Sequence, residues 1–63
     1  MAKISLKAAR VNAKLTVIEA AKAIGIGKDR LLKWESEPDL VPPIWQKKIG
    51  EVYNFSIDNI FFG

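Results

Sequence analysis

Apolar residues recur along the chain at the three- and four-residue spacing of amphipathic helices, and short polar or glycine-containing segments separate these runs. Ser5 is a good N-cap for a first helix, whose apolar face begins at Leu6. Thr16 precedes a second helix, because Glu19 follows three residues later and completes a reciprocal capping box. Gly25 can adopt a positive φ, so we expect it to end this helix and turn the chain sharply.

A third helix is predicted directly after this turn. It begins near Gly27 or Lys28 and continues to about Glu35, and its apolar residues Leu31 and Trp34 mark the inner side. The side chains that point away from this inner side are Lys28, Asp29, Leu32 and Lys33, so the helix presents one buried side and one largely polar side.

The rest of the chain is predicted to hold a loop and two further helices. Three prolines within residues 36–43 indicate the loop, and Pro42 or Pro43 can occupy the first turn of a fourth helix. We expect Asn54 to end that helix and Ser56 to begin a last short one. No segment has the pattern of a strand, so the predicted fold class is all-α, with five helices.

The composition indicates one small domain, covering residues 1–63, and argues against an enzyme. The absence of cysteine excludes disulfides and thiolate metal sites, and the absence of histidine removes the commonest general base and metal ligand. We therefore expect no catalytic residues, no metal and no cofactor. No apolar run approaches the roughly 18 residues of a membrane span, so the expected compartment is the cytoplasm. Neither a membrane nor a small-molecule ligand is expected as a partner.

The charge is divided unevenly along the chain. Residues 1–33 carry eight basic and two acidic side chains, a net charge of +6, whereas residues 34–63 carry two basic and five acidic ones, a net charge of −3. Such polarity favours one surface that attracts a polyanion. Charge alone does not distinguish DNA, RNA and an acidic membrane.

Residues 16–35 have the pattern of a helix-turn-helix, which consists of two short helices joined by a tight turn that often contains glycine. Ala21 is small where the two helices must approach closely, and Gly25 supplies the turn. Leu31 and Trp34, with Ile26, fill the space between the helices.

With these features the chain resembles the Cro/CI-type helix-turn-helix regulators, also called the xenobiotic-response-element family. The resemblance rests on Arg10 in the first helix, residues 15–26 in the positioning helix and turn, residues 31–35 at the end of the recognition helix, and residues 48–53 and 56–58 in the closing helices. It implies a compact five-helix, lambda-repressor-like DNA-binding domain that regulates transcription. It also implies a Cro-like or repressor-like origin in a phage or prophage.

The resemblance further implies which side chains contact DNA. Those that face the base edges of the major groove are Lys28, Asp29, Leu32 and Lys33. Lysine can donate to guanine O6 and N7, aspartate can accept from cytosine N4, and leucine can contact a thymine methyl group. Those that contact the DNA backbone are Lys7, Lys14, Thr16, Val17, Lys22 and Arg30.

The resemblance also implies one structural ion pair, and the few base contacts that a single recognition helix can make indicate a dimer. Arg10 and Glu35 match an ion pair that ties the first helix to the end of the third. The expected partner is a double-stranded DNA operator, bound by a homodimer that forms either in solution or only on the operator. The candidate dimer contacts are Ile44, Phe61 and Phe62, at positions that the resemblance implies are exposed. The C-terminal cluster of Ile60, Phe61 and Phe62 forms either a dimer contact or part of the small core.

The alternative hypothesis is a helix-turn-helix scaffold that binds a protein, such as an antitoxin or an anti-repressor. The apolar surface for the partner would then consist of Val17, Ile18 and Leu32. Two acids, Glu37 and Asp39, also favour this alternative, because they lie in a loop that approaches the DNA backbone in the family, where acids would repel phosphate. The basic half of the chain favours DNA. An RNA-binding protein is the least favoured alternative, because no exposed aromatic platform is predicted.

Overall fold

The structure is a computed structural model that describes residues 3–63. This part of the chain holds two short 3-10 helices and four α-helices, which we number α1 to α4. The α-helices are Leu6–Asn12 (α1), Val17–Ile24 (α2), Lys28–Ser36 (α3) and Pro43–Tyr53 (α4), and the 3-10 helices are Pro38–Leu40 and Ile57–Asn59. The all-α prediction is confirmed, since no strand lies within residues 3–63.

The last of the five predicted helices is only a 3-10 helix, Ile57–Asn59, so four α-helices are present within residues 3–63. Ser56 caps as expected, with its hydroxyl accepting a hydrogen bond from the Asp58 N–H at 3.3 Å, but only a single 3-10 turn follows. The chain then becomes extended at Ile60, which forms an isolated parallel bridge with Ile4. The Ile4 N–H donates to the Asn59 carbonyl at 2.9 Å, and the Phe61 N–H donates to the Ile4 carbonyl at 2.8 Å. Pairing with a distant segment therefore ends the helical turn, and residue spacing alone does not reveal it.

Local side-chain hydrogen bonds set the starts of α1 and α2, as the sequence predicts. The Ser5 hydroxyl accepts a hydrogen bond from the Ala8 N–H at 3.0 Å. The Thr16 hydroxyl accepts from the Glu19 N–H at 3.1 Å, and the Thr16 N–H donates back to the Glu19 carboxylate at 2.9 Å. This backbone bond, with the help of the Thr16 side chain, lowers the pKa of Glu19. Each cap satisfies backbone groups that have no partner inside the helix.

The core lies where the four helices meet the extended segment around Ile60. Its largest fully buried side chains are Leu6, Leu31, Ile49 and Ile60. The buried face of α2 is slim, because Ala20 and Ala21 occupy it, and this allows close approach of its neighbours. Against the same cluster, Trp34 of α3 packs on Trp45 of α4 with ring centroids 6.0 Å apart and planes tilted by 51°. Both tryptophans are thus occupied in packing.

Helix α4 begins at a proline and ends in a left-handed residue, as the sequence predicts. Pro43 occupies the first turn, and Asn54 ends the helix with φ of 51°. Gly50 marks a close approach to the last 3-10 helix, since a Cβ at this position would lie 2.5 Å from Ile57 Cγ2. At 11 residues α4 is the longest of the four helices, and no helix within residues 3–63 is long and apolar enough to cross a membrane.

Candidate nucleic-acid interface

Helices α2 and α3 and the turn between them form one packed unit. Gly25 ends α2 in the left-handed conformation with φ of 95°, and its N–H donates to the Ala21 carbonyl at 2.9 Å. The Ile26 N–H donates to the same carbonyl at 3.0 Å, which satisfies a second donor of the turn. Ile24 of α2 and Leu31 of α3 are both buried. The turn geometry and the core contacts together hold α3 in place against α2.

The polar side of α3 carries all four predicted base-contact residues. Lys28, Asp29, Leu32 and Lys33 are exposed. At 100° per residue they span about 140° of the helix circumference, on the side away from Leu31 and Trp34. The sequence therefore predicts correctly which face of α3 is presented to solvent.

The start of α3 is open to solvent. Its N-cap is Gly27, which has no side chain to accept a hydrogen bond from the first turn of the helix. Amide donors at a helix N-terminus that lack a side-chain partner can bind anions. Asp29 lies in the same turn, where a negative charge is favourable beside the helix dipole, and Arg30 is exposed on the flank of the predicted base-contact face.

Lys33 has an acidic partner within the protein, in addition to its predicted contact with a base. Its ammonium forms an ion pair with the carboxylate of Glu37, one turn further along. The hydrogen bond to this carboxylate, and then its negative charge, raise the pKa of Lys33. The i,i+4 spacing of a lysine and a glutamate is the signal by which this pair could be found.

The predicted backbone-contact residues do not all have the same environment. Lys7 on α1, Lys22 on α2 and the cap residue Thr16 are exposed. Lys14 is exposed as well, and it adopts a left-handed φ of 61° between α1 and α2, which is uncommon for a residue with a side chain. Val17, by contrast, is half-buried and packs against the core. An apolar side chain facing inward in the first turn of α2 leaves only its backbone for a phosphate contact.

Arg10 and Glu35 form the ion pair that the sequence predicts. The Arg10 Nε donates to Glu35 Oε2 at 2.7 Å, and the two side chains are only 10% and 8% exposed. The other arm of the guanidinium donates to the Leu15 carbonyl at 2.9 Å. Arg10 therefore joins α1, the connection before α2, and the last turn of α3, and it fixes the position of α3.

A buried phenol lies near this ion pair, and the sequence gives no signal for its state. The Tyr53 hydroxyl, at the end of α4, has no hydrogen-bond partner within the described residues. Burial, and next the negative charge of Glu35, raise the pKa of Tyr53 to about 12, although Arg10 opposes this. The residue is neutral and structural rather than part of the exposed face.

Two of the three predicted dimer contacts are exposed. Ile44 is 77% exposed and Phe61 is 51% exposed. Phe62, the third predicted dimer contact, is instead half-buried and packs against the core, so it fits the alternative role in the core. The extended chain after Ile60 alternates its side chains between two faces, so one of two adjacent phenylalanines turns inward.

The acidic side chains of residues 3–63 do not form a metal site. Within residues 3–63 there is no cluster of three or more acidic side chains that could hold a metal ion.

Comparison with protein-family models, with curated proteins and with solved structures finds no match to this chain.

Proposed function

We propose that this protein is a sequence-specific double-stranded DNA-binding protein and a transcriptional regulator of the Cro/CI type, whose α3 enters the major groove. The single observation that carries the proposal is the exposed polar face of α3. Helix α3 carries this face, and it is fixed to α2 by the Gly25 turn and to α1 by the Arg10–Glu35 ion pair.

The chemistry of the exposed face suits base edges. Lys28 and Lys33 can donate to guanine, Asp29 can accept from cytosine N4, and Leu32 can contact a thymine methyl group. Leu32 is 44% exposed, which leaves enough of its side chain available for such a contact. The remaining exposed basic residues of the first two helices are assigned to phosphates, which position a protein without specifying sequence.

The test separates specific from general DNA affinity. A selected operator is compared with a random duplex of the same length, by anisotropy titration at several salt concentrations. Lys28→Ala and Lys33→Ala should each reduce the discrimination between the two duplexes, by roughly 1–3 kcal/mol.

Lys7→Ala and Lys22→Ala are the matched controls, since both remove one exposed charge from a helix other than α3. They should weaken both duplexes equally and reduce the slope of log affinity against log salt by about 0.9. Lys14 is not used as a control because it lies in the connection between α1 and α2, with a left-handed φ of 61°, rather than on a helix. Equal behaviour of all four variants contradicts the assigned reading face.

A second candidate function, binding of a partner protein as in an antitoxin or anti-repressor, is favoured by one observation. Ile18 at the start of α2 is 66% exposed and apolar, and Leu32 is partly exposed on α3. Val17 contributes little to such a surface, because it packs against the core. Absence of binding to any duplex at low salt, with the fold intact by circular dichroism, favours this second function.

A further inference from the structure

Glu37 lies at the point where α3 ends. It is the C-cap residue, its N–H donates to the Lys33 carbonyl at 2.8 Å, and its side chain pairs with the Lys33 ammonium. Only one other side-chain ion pair, Arg10 with Glu35, is present within residues 3–63. Lys33, one of the four residues assigned to base contacts, is therefore paired with an acidic side chain in the free protein.

The presence of Glu37 at the end of α3 is poorly explained by a gain in the stability of that helix. A carboxylate at the C-terminal end of a helix faces the negative end of the helix dipole, which is unfavourable. A lysine four residues before a glutamate is also the weaker of the two possible orders for such a pair. Both side chains are largely exposed, at 62% and 48%, and exposed pairs contribute little to stability.

Glu37 acts more directly on the charge that Lys33 presents to DNA than on the stability of α3. An ammonium beside a carboxylate contributes less positive potential to the surface of α3 than a free ammonium. Attraction of positive charge to phosphates supplies essentially all non-specific DNA binding. A base edge in the major groove offers a bidentate acceptor, which can replace the carboxylate as the partner of the lysine.

We infer that Glu37 is a specificity-determining residue, which withholds the charge of Lys33 from non-specific phosphate contacts and so widens the gap between operator and random DNA. This inference rests on the proposed DNA-binding function. It assigns to Glu37 a part in DNA recognition, whereas an acid near DNA would otherwise only repel phosphate.

The test is the substitution Glu37→Gln, which keeps the shape and removes the charge. The probe is a 20-base-pair duplex of random sequence, titrated between 50 and 200 mM salt. If the released Lys33 neutralises one more phosphate, the salt slope should steepen by about 0.9. The affinity of the variant should then fall about 3.5-fold more than that of the wild type over this range.

Glu51→Gln is the matched control, since it makes the same charge change at an exposed position of α4 that has no ion pair in the described part of the chain. It should leave the salt slope unchanged. The pKa of Lys33, followed by NMR of its side-chain nitrogen, should fall in Glu37→Gln and stay raised in Glu51→Gln, which tests the pair without DNA.

A double-mutant cycle with Lys33→Gln identifies the cause of any change in DNA affinity. The effect of Glu37→Gln should disappear when Lys33 is already neutral. An effect that persists there is direct repulsion between Glu37 and phosphate, and it overturns the inference. Equal slopes for wild type and Glu37→Gln also overturn it while leaving the proposed function intact, whereas a wild-type protein that binds no duplex at 50 mM salt overturns the proposed function itself.

Discussion

A guanidinium taken out of water requires fixed partners, and Arg10 has them in Glu35 and the Leu15 carbonyl. Removal of one member of a buried ion pair leaves an uncompensated charge and typically costs about 3–5 kcal/mol. Replacement of both members by apolar residues of similar volume is often neutral or stabilising. The structure therefore makes a prediction about single and double variants at this site.

We expect Glu35→Leu and Arg10→Met each to lower the free energy of unfolding by about 3–5 kcal/mol, a large share of the stability of any small domain. The double variant should recover most of this loss. Urea denaturation followed by circular dichroism measures all three. Single variants within 1 kcal/mol of the wild type would show that water compensates the remaining charge.

The buried hydroxyl of Tyr53 predicts a loss of stability in alkali. The pKa of Tyr53 is raised to about 12 in the folded protein, against about 10 in the unfolded chain. The unfolded state therefore loses its proton first as the pH rises above 10, so the stabilising contribution is complete below pH 10 and is lost as the pH rises towards 12. By pH 11 the wild type should have lost about 1.4 kcal/mol of unfolding free energy relative to Tyr53→Phe.

Thermal or urea unfolding of the wild type and Tyr53→Phe at pH 8 and pH 11 tests this. The lysines titrate equally in both proteins, so the difference isolates the phenol. At pH 8 the variant should be as stable as the wild type or more stable, because an unpartnered buried hydroxyl is removed. An equal pH dependence for the two proteins would contradict the raised pKa.

At the residue scale, the sequence predicts what depends on near neighbours. The caps at Ser5 and Thr16 are formed by side chains that reach three residues along the chain, so they can be predicted from spacing. The state of Tyr53 depends on burial by several helices and on charges that are distant in sequence. The inward position of Phe62 likewise depends on the path of the chain after Ile60, and no local pattern distinguishes it from Phe61.

At the element scale, the turn between α2 and α3 offers a test with one substitution at two neighbouring positions. Gly25 has φ of 95°, whereas Gly27 is the N-cap of α3 with φ of −76°, and a Cβ at either position would meet nothing within 4 Å. A new side chain therefore has equal room at both positions, and only the backbone conformation differs between Gly25 and Gly27.

We expect Gly25→Ser to destabilise the protein by about 1–2 kcal/mol, because a side chain is strained in the left-handed conformation. Gly27→Ser should instead stabilise it by a few tenths of a kcal/mol, because serine supplies the side-chain cap that α3 lacks. Chemical denaturation curves for the two variants measure the difference. The same sign of change at both positions would contradict the assigned turn and cap.

The prediction of elements succeeds where the signals are local and fails where a distant segment intervenes. The limits of α2 and α3 are marked by the capping box, by Gly25 and by Gly27, so the candidate DNA-binding unit can be located from the sequence. The last predicted helix has an equally good cap at Ser56, but the pairing of Ile60 with Ile4 stops it after one turn. The ends of an element depend on tertiary contacts as well as on its own residues.

At the scale of the whole molecule, we expect two copies to bind one operator. One short recognition helix offers four side chains for base contacts, which is little for operator specificity. Two copies on an inverted repeat should place their half-sites about one helical turn apart, roughly 34–36 Å. The exposed Ile44 and Phe61 are the candidate dimer contacts, and in the proposed function they leave α3 available for the DNA.

Phe61→Glu should lower the cooperativity of operator binding and leave the unfolding free energy nearly unchanged, because this side chain is exposed. Phe62→Glu is the contrasting variant, which should destabilise the fold because Phe62 packs against the core. Gel-shift stoichiometry and ultracentrifugation on a single operator measure the outcome. One protein chain per saturated operator would contradict the dimer.

The bridge between Ile4 and Ile60 bears on how the chain reaches and leaves its native state. It closes a loop that contains all four helices, so its closure costs least conformational entropy once these helices have assembled. Contacts between residues so distant in sequence slow folding, because the chain must be ordered before they contribute. The amides of Ile4 and Phe61, which donate the two hydrogen bonds beside the bridge, should therefore exchange with solvent at similar rates. Fraying of one end of the described chain then releases the other, and both leave the native state as one cooperative unit.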